Sequence, residues 1–84
     1  MATNQRILTP VCAAIAAVME DTGCTHRLTL ANAVNLTETT ITNYVNGGRE
    51  PNAARISKLE IAMGVAPGTI YSVAAEIASE QIAA

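Results

Sequence analysis

The stretch TETTITNYVNGG, residues 37–48, decides which fold this chain adopts. Its threonines, isoleucine and valine favour a strand locally, and Asn-Gly after such a run is a strong signal for a β-hairpin. A hairpin needs a second strand after Gly48. The sequence there is Arg-Glu-Pro-Asn, which supplies turn and capping residues, and Pro51 cannot donate to a strand ladder. The strand interpretation therefore lacks a partner.

The same stretch fits a short amphipathic helix. Ile41, Tyr44 and Val45 lie at positions i, i+3 and i+4, which share one face of a helix. Thr37 is a suitable N-cap, and Gly47 can end the helix in the left-handed conformation. We predict a helix whose opposite face is polar. That face consists of Glu38, Thr39, Thr42, Asn43 and Asn46.

The remaining apolar residues recur at helical spacing and predict four further helices. Thr9 and Asn52 are suitable N-caps, and Gly23 and Gly64 are suitable C-terminal stops. No segment shows the period-2 alternation of a strand, so the sequence predicts an all-α fold. The predicted helices start at Pro10, at Thr25 or His26, at Ala53 and at Pro67, in addition to the helix that Thr37 caps.

The length and composition indicate one folded domain. A chain of 84 residues has room for a single core, and we assign residues 1–84 to one domain. Half of the residues are apolar and 14% are charged, which argues against a disordered chain. Residues 1–8 are expected to form an arm from which Ile7 and Leu8 dock on the core, and residues 66–84 the last helix.

Two short helices meet across Asn35-Leu36-Thr37 in a pattern typical of a helix-turn-helix. The small side chain of Ala31 lets the second helix cross closely. Leu36 plugs the turn, and Ile41 and Tyr44 hold the second helix against the core. Asn35 stands where the first helix must turn, in a left-handed conformation that Asn tolerates. This geometry leaves the polar face of the second helix open.

The segment LANAVNLTETTITNYVNGGREP, Leu30 to Pro51, resembles the Cro/lambda-repressor (XRE-type) family of DNA-binding domains. The matching features are a Leu-Ala pair, a plugged turn, a Thr cap, a Thr-Ile pair, and Asn-Gly followed by a basic residue and Pro. KLEIAMGVAPGTIY, Lys58 to Tyr71, resembles the family's fourth helix and the start of its fifth. The resemblance covers about residues 9–75. It implies a compact five-helix, lambda-repressor-like domain that binds double-stranded DNA through the major groove.

The resemblance also implies that some polar residues contact DNA phosphates and others contact bases. Arg27, at the start of the second helix, and Arg49, just past the third, are expected to contact phosphates. Arg55 and Lys58 are weaker candidates for the same role. The residues expected to face the DNA from the third helix and its cap are Thr37, Glu38, Thr39, Thr42, Asn43 and Asn46.

The chemistry of these groups suits base recognition. Asn43 can pair with both N6 and N7 of adenine, and Thr39 and Thr42 can donate, accept or contact a thymine methyl group. Glu38 can accept from cytosine N4 but repels a nearby phosphate. The alternative is that these residues form only the solvated side of an amphipathic helix.

We predict that the protein binds DNA as a two-fold dimer. The formal net charge is −2 and a single domain contacts few base pairs, so one monomer should bind DNA weakly. Family members often dimerise through the last helix. The candidate dimer residues are Ile70, Val73, Ile77 and Ile82, whose alternative role is packing within one chain. We expect a small phage-type repressor or a Cro-like protein that binds a pseudo-palindromic operator.

Other function classes have little support in the sequence. The chain has one His and two Cys, and it carries neither a phosphate-binding loop nor a catalytic set. We expect no enzyme activity, metal, cofactor, small-molecule ligand or membrane contact, and a cytoplasmic location with reduced thiols. The competing hypothesis is a protein-interaction module of the same fold, such as an antitoxin component. Exposure of Leu28 and Val45 would favour it.

Overall fold

The computed structural model describes the backbone of residues 9–83 and the side chains of residues 9–80. The described chain is all helical, which confirms the predicted fold class. Five helices follow one another: α1 (Pro10–Thr22), α2 (Arg27–Ala33), α3 (Glu38–Val45), α4 (Ala53–Met63) and α5 (Thr69–Ala83). The predicted arm, residues 1–8, lies outside the described residues.

The helix ends are set by the capping residues that the sequence predicts. The Thr9 side chain accepts a hydrogen bond from the Cys12 amide at the start of α1, and the Asn52 side chain accepts from the Arg55 amide at the start of α4. At the C-terminal end of α4, Gly64 ends the helix with a φ of 74°. Because only residues that tolerate positive φ fit such stops, the local sequence fixes these boundaries.

Buried side chains from all five helices form one core. Helix α5 packs along α1, α2 packs on α3 and α4, and α1 also contacts α3 and α4. The largest fully buried side chains come from four of the helices, so the core ties distant parts of the chain together. They are Tyr44, Ile15, Ile41, Leu59, Ile70 and Cys12.

Two predicted helix starts are wrong. Helix α5 starts at Thr69 instead of Pro67, because Gly68 adopts a left-handed φ of 89° that interrupts the helical path. Helix α2 starts at Arg27 instead of Thr25 or His26, because His26 is its N-cap. On α4, the apolar Ile61 is 76% exposed. Its neighbours Leu59 and Met63 are buried and define the inner face of that helix.

A buried acid connects α4 to α5. Glu60 is 3% exposed, although the sequence gives no local reason to bury it. Its Oε1 accepts a hydrogen bond from the Gly68 amide at 3.1 Å, and its Oε2 accepts from the Ile70 amide at 3.0 Å. A helix start leaves such amides without intrahelical partners, so Glu60 caps α5 from another helix.

Within the described residues, no helix is both long enough and apolar enough to cross a membrane.

Candidate nucleic-acid interface

The turn between α2 and α3 has the tight geometry that a helix-turn-helix needs. The Leu36 amide donates to the Ala31 carbonyl at 2.8 Å, which closes the end of α2. Asn35 adopts a φ of 60°, the left-handed conformation predicted for it. Leu36 is half-buried against the core and plugs the turn. The two helices are therefore held in a fixed crossing.

Helix α3 is anchored on its inner side by two side chains with no exposed surface. These are Ile41 and Tyr44, as predicted. The Tyr44 hydroxyl accepts a hydrogen bond from Arg55 Nη1 at 3.1 Å, so its polar end is satisfied inside the protein. Arg55 is half-buried by this contact. Arg55, a weaker candidate for phosphate contact, thus also links α4 to α3.

The outward side of α3 is a continuous polar surface, which we name the reading face. All of its side chains are exposed except Thr42, which is half-buried. The face consists of Thr37, Glu38, Thr39, Thr42, Asn43 and Asn46. A rigid helix with short polar side chains can approach the edges of base pairs closely.

The first turn of α3 is stabilised by its own side chains. The Thr37 hydroxyl accepts from the Thr40 amide at 3.2 Å, and the two hydroxyls lie 2.8 Å apart. Glu38 is the first residue of the helix, where a negative charge is favoured by the helix dipole. Glu38 therefore has a structural function that does not depend on DNA. The Thr-x-x-Thr spacing in the sequence carries the signal for Thr40, which the sequence prediction left out of the site.

Arg27 lies beside the reading face. It is the first residue of α2, and its Nη1 donates to the Thr42 hydroxyl at 3.2 Å. The side chain is half-buried by this contact. The pair joins the two helices of the motif, and nothing in the local sequence pattern indicates it. Next to Arg27, the His26 Nδ1 accepts from the Thr29 amide and caps α2.

Arg49 follows the end of α3 on a backbone that is held from both sides. Its amide donates to the Asn43 carbonyl at 3.3 Å, and its own carbonyl accepts from Cys12 Sγ at 3.3 Å. The side chain of Arg49 is exposed. A fixed backbone with an exposed guanidinium suits contact with a phosphate, because less chain entropy is lost on binding. No motif in the sequence indicates this contact of Cys12 with Arg49.

Other candidate residues lie apart from this surface. Leu28 is 46% exposed on α2, whereas Val45 is half-buried against the core.

Cys12 and Cys24 are free thiols. Among the described side chains, no group of three His, Cys, Asp or Glu residues could hold a metal ion.

The candidate dimer residues of α5 differ in accessibility. Ile70 has no exposed surface and packs inside its own chain. Val73 and Ile77 are half-buried, and Val73 lines a cavity of about 250 Å³ between α1 and α5. The side chain of Ile82 lies outside the described residues.

Comparison with known families identifies the helix-turn-helix independently of its geometry. A search of curated proteins and a search of solved structures each returned no match. Residues 26–70 match a family model described as helix-turn-helix, and this span runs from the cap of α2 through α3 and α4 into α5. The match covers more than half of the chain and contains the whole reading face. The chain belongs to the Cro/lambda-repressor-like (XRE-type) helix-turn-helix family and is a DNA-binding regulator of that type.

Proposed function

We propose that this protein is a transcriptional repressor of the small phage or Cro type, which binds one pseudo-palindromic operator as a homodimer. The observation that carries the proposal is the reading face, held on a helix whose inner side chains Ile41 and Tyr44 are fully buried. A rigid support of this kind positions side chains for the major groove before DNA arrives. Repression then follows from occupation of promoter DNA.

In this mechanism the contacts divide into two kinds. Arg49 binds phosphate at one end of α3, and Lys58, exposed on α4, adds a further positive charge. Asn43 and Thr39 contact bases from the centre of α3, with Asn43 suited to adenine. Thr37 combines capping with a position at the groove edge. Glu38 selects against sequences that bring a phosphate or a base acceptor close to its carboxylate.

Selection of duplexes from a random pool tests the proposal directly. We expect one enriched palindromic sequence, whose binding weakens as salt rises. The phosphate contacts named above are Arg49 and Lys58, which are both exposed. Two subunits then bring about four such contacts, and the slope of log K against log salt should be roughly −4. Enrichment of no duplex at low salt contradicts the proposal.

Replacing Asn43 with alanine is expected to remove adenine preference at one position of each half-site. Loss of a bidentate pair costs about 1–3 kcal/mol per subunit in binding free energy. Titration of the selected duplex, followed by fluorescence anisotropy, measures the loss. Asn32→Ala is the matched control, because Asn32 is an exposed asparagine on α2 outside the reading face. Equal affinities for the two variants would remove Asn43 from the site.

The two-fold dimer is proposed to form through the side of α5 that bears Val73 and Ile77. Both side chains are half-buried and apolar, and Val73 also lines the cavity between α1 and α5 together with Ala17 and Val65. Ile70 takes no part, because it is enclosed in its own core. Contact between these surfaces of two copies would remove apolar side chains from water and so favour the dimer.

Truncation of Ile77 to alanine is expected to raise the dimer dissociation constant about tenfold or more, because the contact loses three methyl or methylene groups on each subunit. Sedimentation equilibrium measures the change. Ile61→Ala is the matched control, since Ile61 is highly exposed on α4 and lies outside the proposed contact. A dimer weakened equally by both changes, or a monomer in the unmodified protein, would refute the α5 interface.

A protein-interaction module is the second candidate, and the exposure of Leu28 favours it. An exposed leucine on α2 is apolar surface available to a partner chain. This function predicts that Leu28→Ala weakens a complex with protein and leaves duplex selection unchanged. Duplex enrichment that depends on Asn43 favours the regulator instead.

A further inference from the structure

The side chain of Arg27 is hydrogen-bonded to a residue of the reading face. Arg27 begins α2, yet its guanidinium extends to α3 and donates to the Thr42 hydroxyl at 3.2 Å. Thr42 is the fifth of the eight residues of α3 and belongs to the reading face. The positive charge therefore lies beside the reading face, in contact with Thr42.

The reading face contains no arginine or lysine, the side chains that pair with guanine through two N–H donors. Its side chains are threonines, asparagines and a glutamate, which suit thymine, adenine and cytosine. Guanine presents two acceptors, O6 and N7, and is best recognised by two parallel N–H donors from one cation. The guanidinium of Arg27 supplies such a fork, because the bond to Thr42 uses only one of its five N–H donors.

We propose that Arg27 is a specificity-determining residue that reads guanine, and that Thr42 is its positioning residue. This inference rests on the proposed binding of duplex DNA by α3. The hydrogen bond to Thr42 restricts the rotamers of Arg27 in the free protein, so less side-chain entropy is lost when the base is bound. A guanidinium held in this way can reach a base edge from α2, whereas Arg49 remains the phosphate contact.

The test is duplex selection with the full chain and with the variants Arg27→Lys and Arg27→Ala. The unmodified protein is expected to select a guanine at one position of each half-site. Arg27→Ala should lower the preference for that guanine by about 5- to 100-fold, and Arg27→Lys, which keeps the charge but loses the planar fork, by a smaller factor. Preferences at the other positions should keep their order. Thermal unfolding by circular dichroism confirms that each variant is folded.

Two further variants separate base reading from charge and from fold. Arg49→Ala removes an equivalent charge and should weaken all duplexes by a similar factor, with the guanine retained in the consensus. Thr42→Val replaces the hydroxyl by a methyl group of similar size and removes the anchor. We expect this variant to lower the guanine preference by a smaller factor than Arg27→Ala does.

The outcomes distinguish this inference from the function on which it rests. A consensus without guanine, or a guanine preference unchanged in Arg27→Ala, overturns the role of Arg27 while DNA binding stands. Retention of the full guanine preference in Thr42→Val overturns the positioning role of Thr42. If the unmodified protein enriches no duplex, the proposed function fails and the inference fails with it.

Discussion

Replacing Tyr44 with alanine should lower the free energy of unfolding by about 3–5 kcal/mol. Tyr44 is the largest fully buried side chain of the described core, and its removal leaves a cavity between α3 and the rest of the protein. It also leaves the guanidinium of Arg55 without the hydroxyl that accepts its hydrogen bond. A domain of this length has a total stability of about 4–13 kcal/mol, so much of the variant would be unfolded.

Urea unfolding followed by circular dichroism measures this change, and the other tyrosine provides the control. Tyr71 is 47% exposed on α5, so Tyr71→Ala should cost less than about 1 kcal/mol. Tyr44→Phe keeps the ring and removes only the hydroxyl, which should cost about 0.5–1.5 kcal/mol. Similar urea midpoints for Tyr44→Ala and Tyr71→Ala would show that α3 is not anchored by Tyr44.

Much of the fold follows from local chemistry that can be recognised in the sequence. Thr9, Thr37 and Asn52 cap the helices for which they were predicted, and Asn35 has the predicted positive φ. These features depend on a few consecutive residues. The run at residues 37–48 required more, because its β-branched residues favour a strand. The absence of a partner strand and the spacing of buried positions determined the correct assignment.

The parts that sequence reasoning missed are contacts between residues far apart in the chain. Arg27 and Thr42 are separated by 15 positions, and Cys12 and Arg49 by 37. No periodicity connects such pairs, since they depend on how α1, α2 and α3 are packed. Consequently the sequence predicted the polar outer face of α3 but assigned Arg27 only the role of a phosphate ligand. The structure adds the neighbour that decides where its charge lies.

Glu60 illustrates the same limit and leads to the second large effect. In the sequence it is one of seven acidic residues, and no motif sets it apart. In the structure it is buried and accepts hydrogen bonds from the amides of Gly68 and Ile70. Bonds to a charged acceptor contribute about 1.5–3 kcal/mol each, and they are not additive. We expect Glu60→Ala to lower the free energy of unfolding by about 3 kcal/mol.

Two variants separate the capping role of Glu60 from a general effect of charge. Glu76→Ala removes an exposed acid from α5 and should change stability by less than about 0.5 kcal/mol. Glu60→Gln keeps one acceptor but turns an N–H donor towards an amide donor, so its stability should lie between those of Glu60→Ala and the unmodified protein. Hydrogen exchange locates the effect, since the amide of Ile70 should lose protection before the amides of α3 do. If Glu60→Ala and Glu76→Ala unfold at the same urea concentration, the two hydrogen bonds of Glu60 contribute no net stability and α5 is held to α4 by apolar packing alone.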